Sequence, residues 1–372
     1  MHKLIRITIL FCCALLSLQS HAQDQPAGNS PVRLAVAGIS HDHVGWILSR
    51  KKPDVVLVGI YEPDKELAQR YAKRYNINPA IIYDDLGKML DAVKPEVTSA
   101  FGPVDKHLAV VAACAPRGIN VMVEKPLAAS LEQALKMASL AKKYNIQLLT
   151  NFETSWYPST MKTYELVNDS NYVGAIKKVV IHDGHQGPKE IGVSKDFFKW
   201  LTDPVQNGGG ALMDFGCYGA NLITYLMKGQ QPVSVTAVTQ HFKPEIYPKV
   251  EDEATIIVTY PTAQCIIQGS WNWPFGRKDM EVYGATGYII SANNYNMRLR
   301  AQPDSAEHSI KVSASDVRVY EDPFSYLADV LRKKIKVPEN GLYSLKTNLT
   351  VMRILSAAKE SAASGKTIYL NK

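Results

Sequence analysis

Two short stretches carry residue types that can bind a hydroxyl and move its proton. The first is Val121-Met122-Val123-Glu124-Lys125-Pro126-Leu127-Ala128, an apolar run ending in an acid, a base and a proline. A buried strand that stops there places a carboxylate and an ammonium at the carboxyl edge of a sheet, where open α/β sheets bind ligands. Proline cannot extend the strand and fixes the turn, so the lysine is held at a defined place. The second stretch runs Asn207-Gly208-Gly209-Gly210-Ala211-Leu212-Met213-Asp214-Phe215-Gly216-Cys217-Tyr218. Its glycines let the backbone bend sharply or approach a neighbour closely. A helix is predicted over 211–227, with Asp214, Tyr218 and Asn221 or Tyr225 one turn apart, so that their polar tips can converge. A cation beside a phenol lowers its pKa toward the working range, which suits acid–base chemistry. Taken singly, each stretch also fits an ordinary turn or a domain seam.

The elements that must position these residues follow a strand-helix rhythm from Pro31. Strands are predicted over 32–37, 55–61, 81–83, 97–101, 120–123 and 146–150, with helices over 64–75, 86–93 and 106–117. After Ser130, Leu131, Ala134, Leu135, Ala138 and Ala141 share one helix face. Such alternation means an α/β Rossmann domain over 31–150, with a parallel doubly wound sheet. The composition then shifts. A helix is expected over 160–167, then strands over 176–182, 233–241, 254–260, 265–269, 280–283 and 288–291. Strands with few intervening helices predict an α+β domain over 151–372, with an open, largely antiparallel sheet.

A dinucleotide site calls for Gly-x-Gly-x-x-Gly after the first strand. The chain reads Gly38-Ile39-Ser40-His41-Asp42-His43-Val44-Gly45, with only the first glycine in place. Ser40 offers a hydroxyl and an N–H to an anion at a helix start, whereas His43 is bulky where small size is wanted. Glu62 ends the second strand, placed for a ribose diol, and an acid there favours NAD over NADP; it also fits a turn before Pro63. His41 and His43 are two apart and can share a metal on an extended segment. On a helix start they point to different sides and no partner cluster is evident, so no metal is expected.

The chain has 372 residues, 46% hydrophobic and 21% charged, as in ordinary globular proteins with room for two cores. Lys3 and Arg6 precede an apolar run from Ile7 to Leu18, and Ser20-His21-Ala22 offers a cleavage site. Residues 1–22 are therefore predicted to be a secretory signal peptide, giving a secreted or periplasmic protein with no membrane span after cleavage. Cys114, Cys217 and Cys265 then remain, which is neither a disulfide framework nor a zinc pattern. The formal charge of +7 has no basic cluster, so nucleic acid is not an expected partner.

Together these stretches resemble the Gfo/Idh/MocA family, which includes glucose–fructose oxidoreductase and inositol dehydrogenase. Supporting marks are Gly102-Pro103 with His107, Asn151 with Pro158, and Ser270-Trp271 with Gly284-Ala285-Thr286-Gly287. The resemblance implies that Lys125 lies near a nicotinamide and polarises the reacting sugar hydroxyl. Asp214 would orient the substrate and the acid–base partner. Tyr218, where many members have histidine, would be the acid–base residue, as in the glucose–fructose oxidoreductase branch. The implied cofactor contacts are Gly38, Ile39, Ser40, His41, Glu62, Gly102, Pro103, His107, Glu124, Lys125 and Asn151. Implied substrate contacts are Lys125, Asp214, Asn221 (often aspartate in relatives) and Trp156 (often arginine). As a departure from the family, His182, Asp183 and His185 at the end of a second-domain strand add side chains facing the cleft, with His182 and His185 as substrate ligands or a second acid–base pair; they also fit structural histidines at a strand end. A homo-oligomer is expected by analogy.

The function expected is hydride transfer at a sugar carbinol with a tightly held NAD. An exported protein has no evident pool for reoxidising NADH, so redox-neutral chemistry is expected. Aldose–ketose exchange satisfies that condition, and so does transient oxidation followed by glycosidic elimination. The altered glycines favour a third possibility, a cofactor-free sugar-binding or lyase-like relative.

Overall fold

The computed structural model describes residues 30–370, so the signal-peptide reading of 1–22 lies outside the described residues. The first domain holds β1 (Val32–Ala37), β2 (Val55–Tyr61), β3 (Ile82–Tyr83), β4 (Val97–Ala100), β5 (Asn120–Glu124) and β6 (Leu148–Asn151). They form one parallel sheet in the order β3-β2-β1-β4-β5-β6. The apolar runs become strands because helices cover both faces: all of β4, and β5 apart from Asn120, is buried. Asp64, Asp85 and Ser130 cap three helix starts, and Asn76, Lys94 and Asn145 close the same helices in the left-handed conformation. The strand order reverses between β1 and β4, which opens a crevice at their carboxyl ends.

The connection after β1 is unusual. Only a turn over Asp42–Val44 and a short helix over Gly45–Leu48 follow it, where the other helices of this sheet run 8 to 14 residues. His41 is extended and accepts a hydrogen bond at Nδ1 from the His43 N–H, so it caps the turn.

The second domain adds β7 (Ile176–Gly184), β8 (Ser234–Gln240), β9 (Glu253–Thr259), β10 (Gln264–Ser270), β11 (Arg277–Gly284) and β12 (Tyr288–Ser291). Three strands beyond the sequence reading, β13 (Asn296–Arg300), β14 (His308–Lys311) and β15 (Ile368–Tyr369), widen its sheet. The order is β14-β13-β12-β11-β7-β10-β9-β8-β15. Its pairings are antiparallel except β7 with β10, which are parallel. The helix predicted over 211–227 is two helices, Ala211–Asp214 and Gly216–Leu226, because the path breaks at Phe215. The second lies so close to the sheet that a Cβ on Gly219 would stand 2.4 Å from Ile267. Helix Leu345–Ser364 packs over it.

Helix Pro323–Leu331 carries the chain back to the first domain. Beyond its end, Arg332 pairs with Glu96 at 2.5 Å and Arg50 reaches Ser325 at 2.8 Å. Cys114, Cys217 and Cys265 are free and buried. Among the described residues no helix is long and apolar enough to cross a membrane.

Candidate active site

Lys125, at the turn after β5, and Asp214, at the end of a second-domain helix, form an ion pair across the domain seam. Lys125 Nζ also donates to the Asp214 carbonyl at 3.2 Å, and Trp271 Nε1 donates to Asp214 Oδ2 at 3.0 Å. Lys125 is 6% exposed and Asp214 3%. Burial opposes charge on both, yet their mutual attraction wins. Lys125 is held above its ordinary pKa and Asp214 below its own.

Tyr218 comes from the following helix, with its ring edge-on to Phe152. The ammonium groups of Lys125 and Lys278 lie 5.3 and 5.1 Å from the ring centre. The expected lowering of its pKa does not occur. Burial pushes the phenol well above its ordinary value, with Glu153 adding to the rise. The physical reason is that the ring is buried and the acids Glu153, Glu124 and Asp214 stand near it, so a phenolate is disfavoured on both counts. Tyr218 is therefore a hydrogen-bond donor that keeps its proton.

These groups surround a cavity of ≈ 330 Å³, within the range of small-molecule sites. Of the residues expected at the site, His41, Lys125, His185, Asp214 and Tyr218 line it. Asn221 does not: it is fully buried, and its amide donates to the Leu342 carbonyl at 2.9 Å. His182 is on the other face of β7 from Asp183, where its Nδ1 meets Asp279 at 2.8 Å. Trp156 donates from Nε1 to Asn151 at 3.1 Å and packs edge-on to Trp46, so it is a wall behind the site. Asp183 is buried with neither carboxylate oxygen bonded. Lys278, His43 and Phe197 also line the cavity, though none was among the expected site residues. For Phe197 a signal existed: Ser194 before Phe197, Trp200 and Leu201 is a capped amphipathic helix, and Lys195–Leu201 is helical. Lys278 had no local signal, since Glu153 reaches it from a distant segment.

A larger cavity of ≈ 680 Å³ lies between Tyr164, Tyr225, Tyr326 and Tyr343. It lacks the acid–base grouping of the smaller one.

Residues 32–152 match the oxidoreductase family with an NAD-binding Rossmann fold, and residues 162–290 match the GFO/IDH/MocA C-terminal domain. The chain belongs to the Gfo/Idh/MocA family. It is 32% identical over 200 residues to trans-1,2-dihydrobenzene-1,2-diol dehydrogenase of Xenopus tropicalis, a match covering 54% of this chain and 57% of that protein. Thus the chain spans little more than half the length of that curated relative. D-xylose 1-dehydrogenase [NADP(+)] of Haloarcula marismortui is 23% identical over 350 residues, covering 91% of this chain and 94% of that one. In fold, the chain resembles the glycerol complex of aldose–aldose oxidoreductase from Caulobacter crescentus, with a TM-score of 0.76 and 21% identity. That likeness covers 91% of this chain and all (100%) of the other.

Against the family's glycine fingerprint, this Gfo/Idh/MocA chain still has residues that fit a dinucleotide. Gly38 has φ +77°, and a Cβ there would stand 2.8 Å from Gly102 Cα, so two glycines keep side chains out of the crevice. Glu62 is at its rim, accepting from Ile39 N–H and Asp64 N–H at 3.0 Å each. Burial raises its pKa. Each of its oxygens retains acceptor capacity for ribose hydroxyls. Pro103 begins the turn after Gly102. Ser40 is different from expectation: its Oγ accepts from Trp200 Nε1 at 3.1 Å, and neighbouring Asp42 accepts from Ser194 N–H at 2.9 Å. The second domain thus roofs the middle of the fingerprint loop.

Other expected cofactor contacts are bonded within the chain. Asn151 donates to Glu124 Oε1 at 2.7 Å, and His43 Nδ1 meets Glu124 Oε2 at 3.0 Å. His107 is buried with Nδ1 on the Leu127 carbonyl at 3.1 Å, and burial lowers its pKa to about 4. Contrary to the sequence reading, His41, His43 and Glu124 do form a cluster, with one donor atom from each within 4.8 Å of the others. It is not a ready metal cage. His41 Nδ1 already accepts from the His43 N–H, so the neutral ring carries its proton on Nε2 and has no lone pair left there.

Proposed function

We propose that this protein is a sugar or polyol oxidoreductase that uses a nicotinamide dinucleotide, with Lys125 and Tyr218 as the pair that binds the reacting oxygen. The observation that carries the reading is the convergence of the buried Lys125, Asp214 and Tyr218 on one cavity at the carboxyl edge of the Rossmann sheet. Gly38, Gly102 and Glu62 would hold the dinucleotide, which supplies hydride acceptance and donation. Asp214 fixes the Lys125 ammonium, and Lys125 and Tyr218 donate hydrogen bonds to the carbinol or carbonyl oxygen. The diol and xylose dehydrogenases among its relatives support a polyhydroxylated substrate.

NAD is proposed over NADP because Glu62 would face a 2′-phosphate as like charge. The roof over Ser40 and Asp42 favours a retained cofactor and hence redox-neutral turnover. Export by the signal sequence and assembly as a homo-oligomer belong to the same reading.

The test is absorbance at the reduced-nicotinamide band after mixing mature protein and NAD with D-xylose, methyl β-D-glucopyranoside or myo-inositol. Tyr218→Phe should leave NAD affinity unchanged and cut turnover by roughly 10²–10³-fold, the worth of one hydrogen-bond donor to the reacting oxygen. Near-wild-type turnover in that variant would sink the assignment of Tyr218.

A further inference from the structure

Oxidation of a carbinol needs a group that takes the hydroxyl proton, and the Lys125/Tyr218 pair has no vacancy for it. Lys125 is a protonated ammonium bound to Asp214, and the buried Tyr218 phenol retains its own proton. We propose that His43, held by Glu124, is the base that accepts this proton at Nε2. The proposal rests on the oxidoreductase reading above and names a residue in the cofactor loop as part of the acid–base machinery.

Three imidazoles line the cavity: His41, His43 and His185. A neutral imidazole carries one proton, and its hydrogen bonds decide which nitrogen holds it. His41 Nδ1 accepts from the His43 N–H at 3.1 Å, and His185 Nδ1 accepts from the Gly187 N–H at 3.0 Å. Both rings therefore have Nε2–H and can only donate from that nitrogen. His43 is the reverse. Its Nδ1 is 3.0 Å from Glu124 Oε2, an acceptor, so the proton is on Nδ1 and the Nε2 lone pair is open. Of these three rings, His43 alone presents a base.

The support behind it is complete. Glu124 is 2% exposed, and its other oxygen takes the Asn151 amide at 2.7 Å. Trp156 Nε1 donates to the Asn151 carbonyl oxygen at 3.1 Å, which fixes the amide with its NH₂ toward Glu124. The His43 ring stacks on Trp46 at 3.7 Å between centres. A carboxylate behind Nδ1 stabilises the imidazolium formed when Nε2 takes a proton, as in carboxylate–histidine couples generally. Glu124 is the positioning residue.

In the oxidative direction a dinucleotide held by Gly38, Gly102 and Glu62 would, in its oxidised form, accept the C–H electron pair with its hydrogen as hydride. The O–H electrons form the carbonyl bond and the proton passes to His43 Nε2. Reduction reverses both transfers. The charged groups facing His43 are Lys125, Lys278, Glu153 and Asp214, besides Glu124 and the neighbouring His41. Burial, Lys125 and Lys278 hold it below its ordinary pKa, and so unprotonated at neutral pH.

The experiment uses mature full-length protein labelled with ¹⁵N-histidine, with His43 assigned by its disappearance in His43→Gln. The expected spectrum has His43 protonated at Nδ1 and bare at Nε2. A proton on Nε2 instead would overturn the proposal whether or not any sugar is turned over. With a sugar that is turned over, His43→Gln should lower turnover roughly 10²–10⁴-fold while NAD affinity stays within about threefold. Added imidazole should restore part of the activity of His43→Ala, which a merely structural role would not allow. Near-wild-type turnover in His43→Gln would also overturn it. Failure of the wild type to reduce NAD with any sugar counts against the oxidoreductase reading, and the proposed catalytic role falls with it.

Discussion

Trp200 Nε1 donates to Ser40 Oγ at 3.1 Å, so an indole from the second domain rests on the loop that a dinucleotide's pyrophosphate must pass. The contact has company: Phe197 packs on His41 at 4.3 Å between ring centres, and Asp196 pairs with Arg70 of the first domain. A cofactor held under this roof leaves only when the roof lifts. Trp200→Ala removes one hydrogen bond and an aromatic contact, together worth about 1–3 kcal/mol. NAD should therefore dissociate about 10- to 100-fold faster from this variant. Stopped-flow displacement of bound NADH measures the rate; an unchanged rate would show that the roof does not gate the cofactor.

Glu62 gives a second expectation. Its carboxylate is fixed by the Ile39 and Asp64 N–H groups, so it cannot swing away from an incoming phosphate without leaving both unpaired. A like-charge contact costs several kcal/mol, so NAD should bind at least about tenfold more tightly than NADP. Glu62→Ser should narrow that preference. Equal affinities in the wild type would remove Glu62 from the site.

How much of this was legible beforehand depended on how local each signal was. β1, β2 and β12 begin and end where apolar runs meet turn residues, because strand length and burial are written in adjacent residues. Lys125, Asp214 and Tyr218, which line one cavity, were picked out through motifs. Asn221 was misplaced for a physical reason: a polar residue on a buried helix can face a ligand or another part of the chain, and periodicity does not tell them apart. Here Leu342 and Asn348 supply the partners. Lys278 was passed over, and His43 was read only as a bulky fingerprint residue or a possible metal ligand, because Glu153 and Glu124, which hold them, are distant in sequence. The expected acidity of Tyr218 failed because the motif shows the neighbouring lysine but neither the burial of the ring nor the acids beside it, and these disfavour the phenolate.

The Lys125–Asp214 pair makes a stability prediction separate from catalysis. Removing one partner of a buried pair strands the other charge, at a cost of about 3–5 kcal/mol. Lys125→Met should therefore lower the melting temperature sharply, whereas Lys125→Met with Asp214→Leu should recover part of the loss. Thermal denaturation of both variants decides it. A double variant as unstable as the sum of its parts would mean that packing, and not stranded charge, sets the cost.

Asp183 carries the clearest pH expectation. It is at 0% exposure, and neither carboxylate oxygen has a partner among the described residues. Burial raises its pKa well above the ordinary value, although Lys278 pulls the other way. The folded state therefore holds a proton that the unfolded chain releases above about pH 4. A raised carboxyl pKa contributes stability that is fully present below the unfolded pKa and is lost as pH rises through the folded one. Asp183→Asn has the same shape and does not titrate, so it should abolish this part of the slope. Relative to wild type, its melting temperature should be equal or lower near pH 4 and should gain steadily toward pH 8. Melting curves across that range test it directly. A difference between the two proteins that stays constant with pH would mean that Asp183 titrates normally and is reached by water.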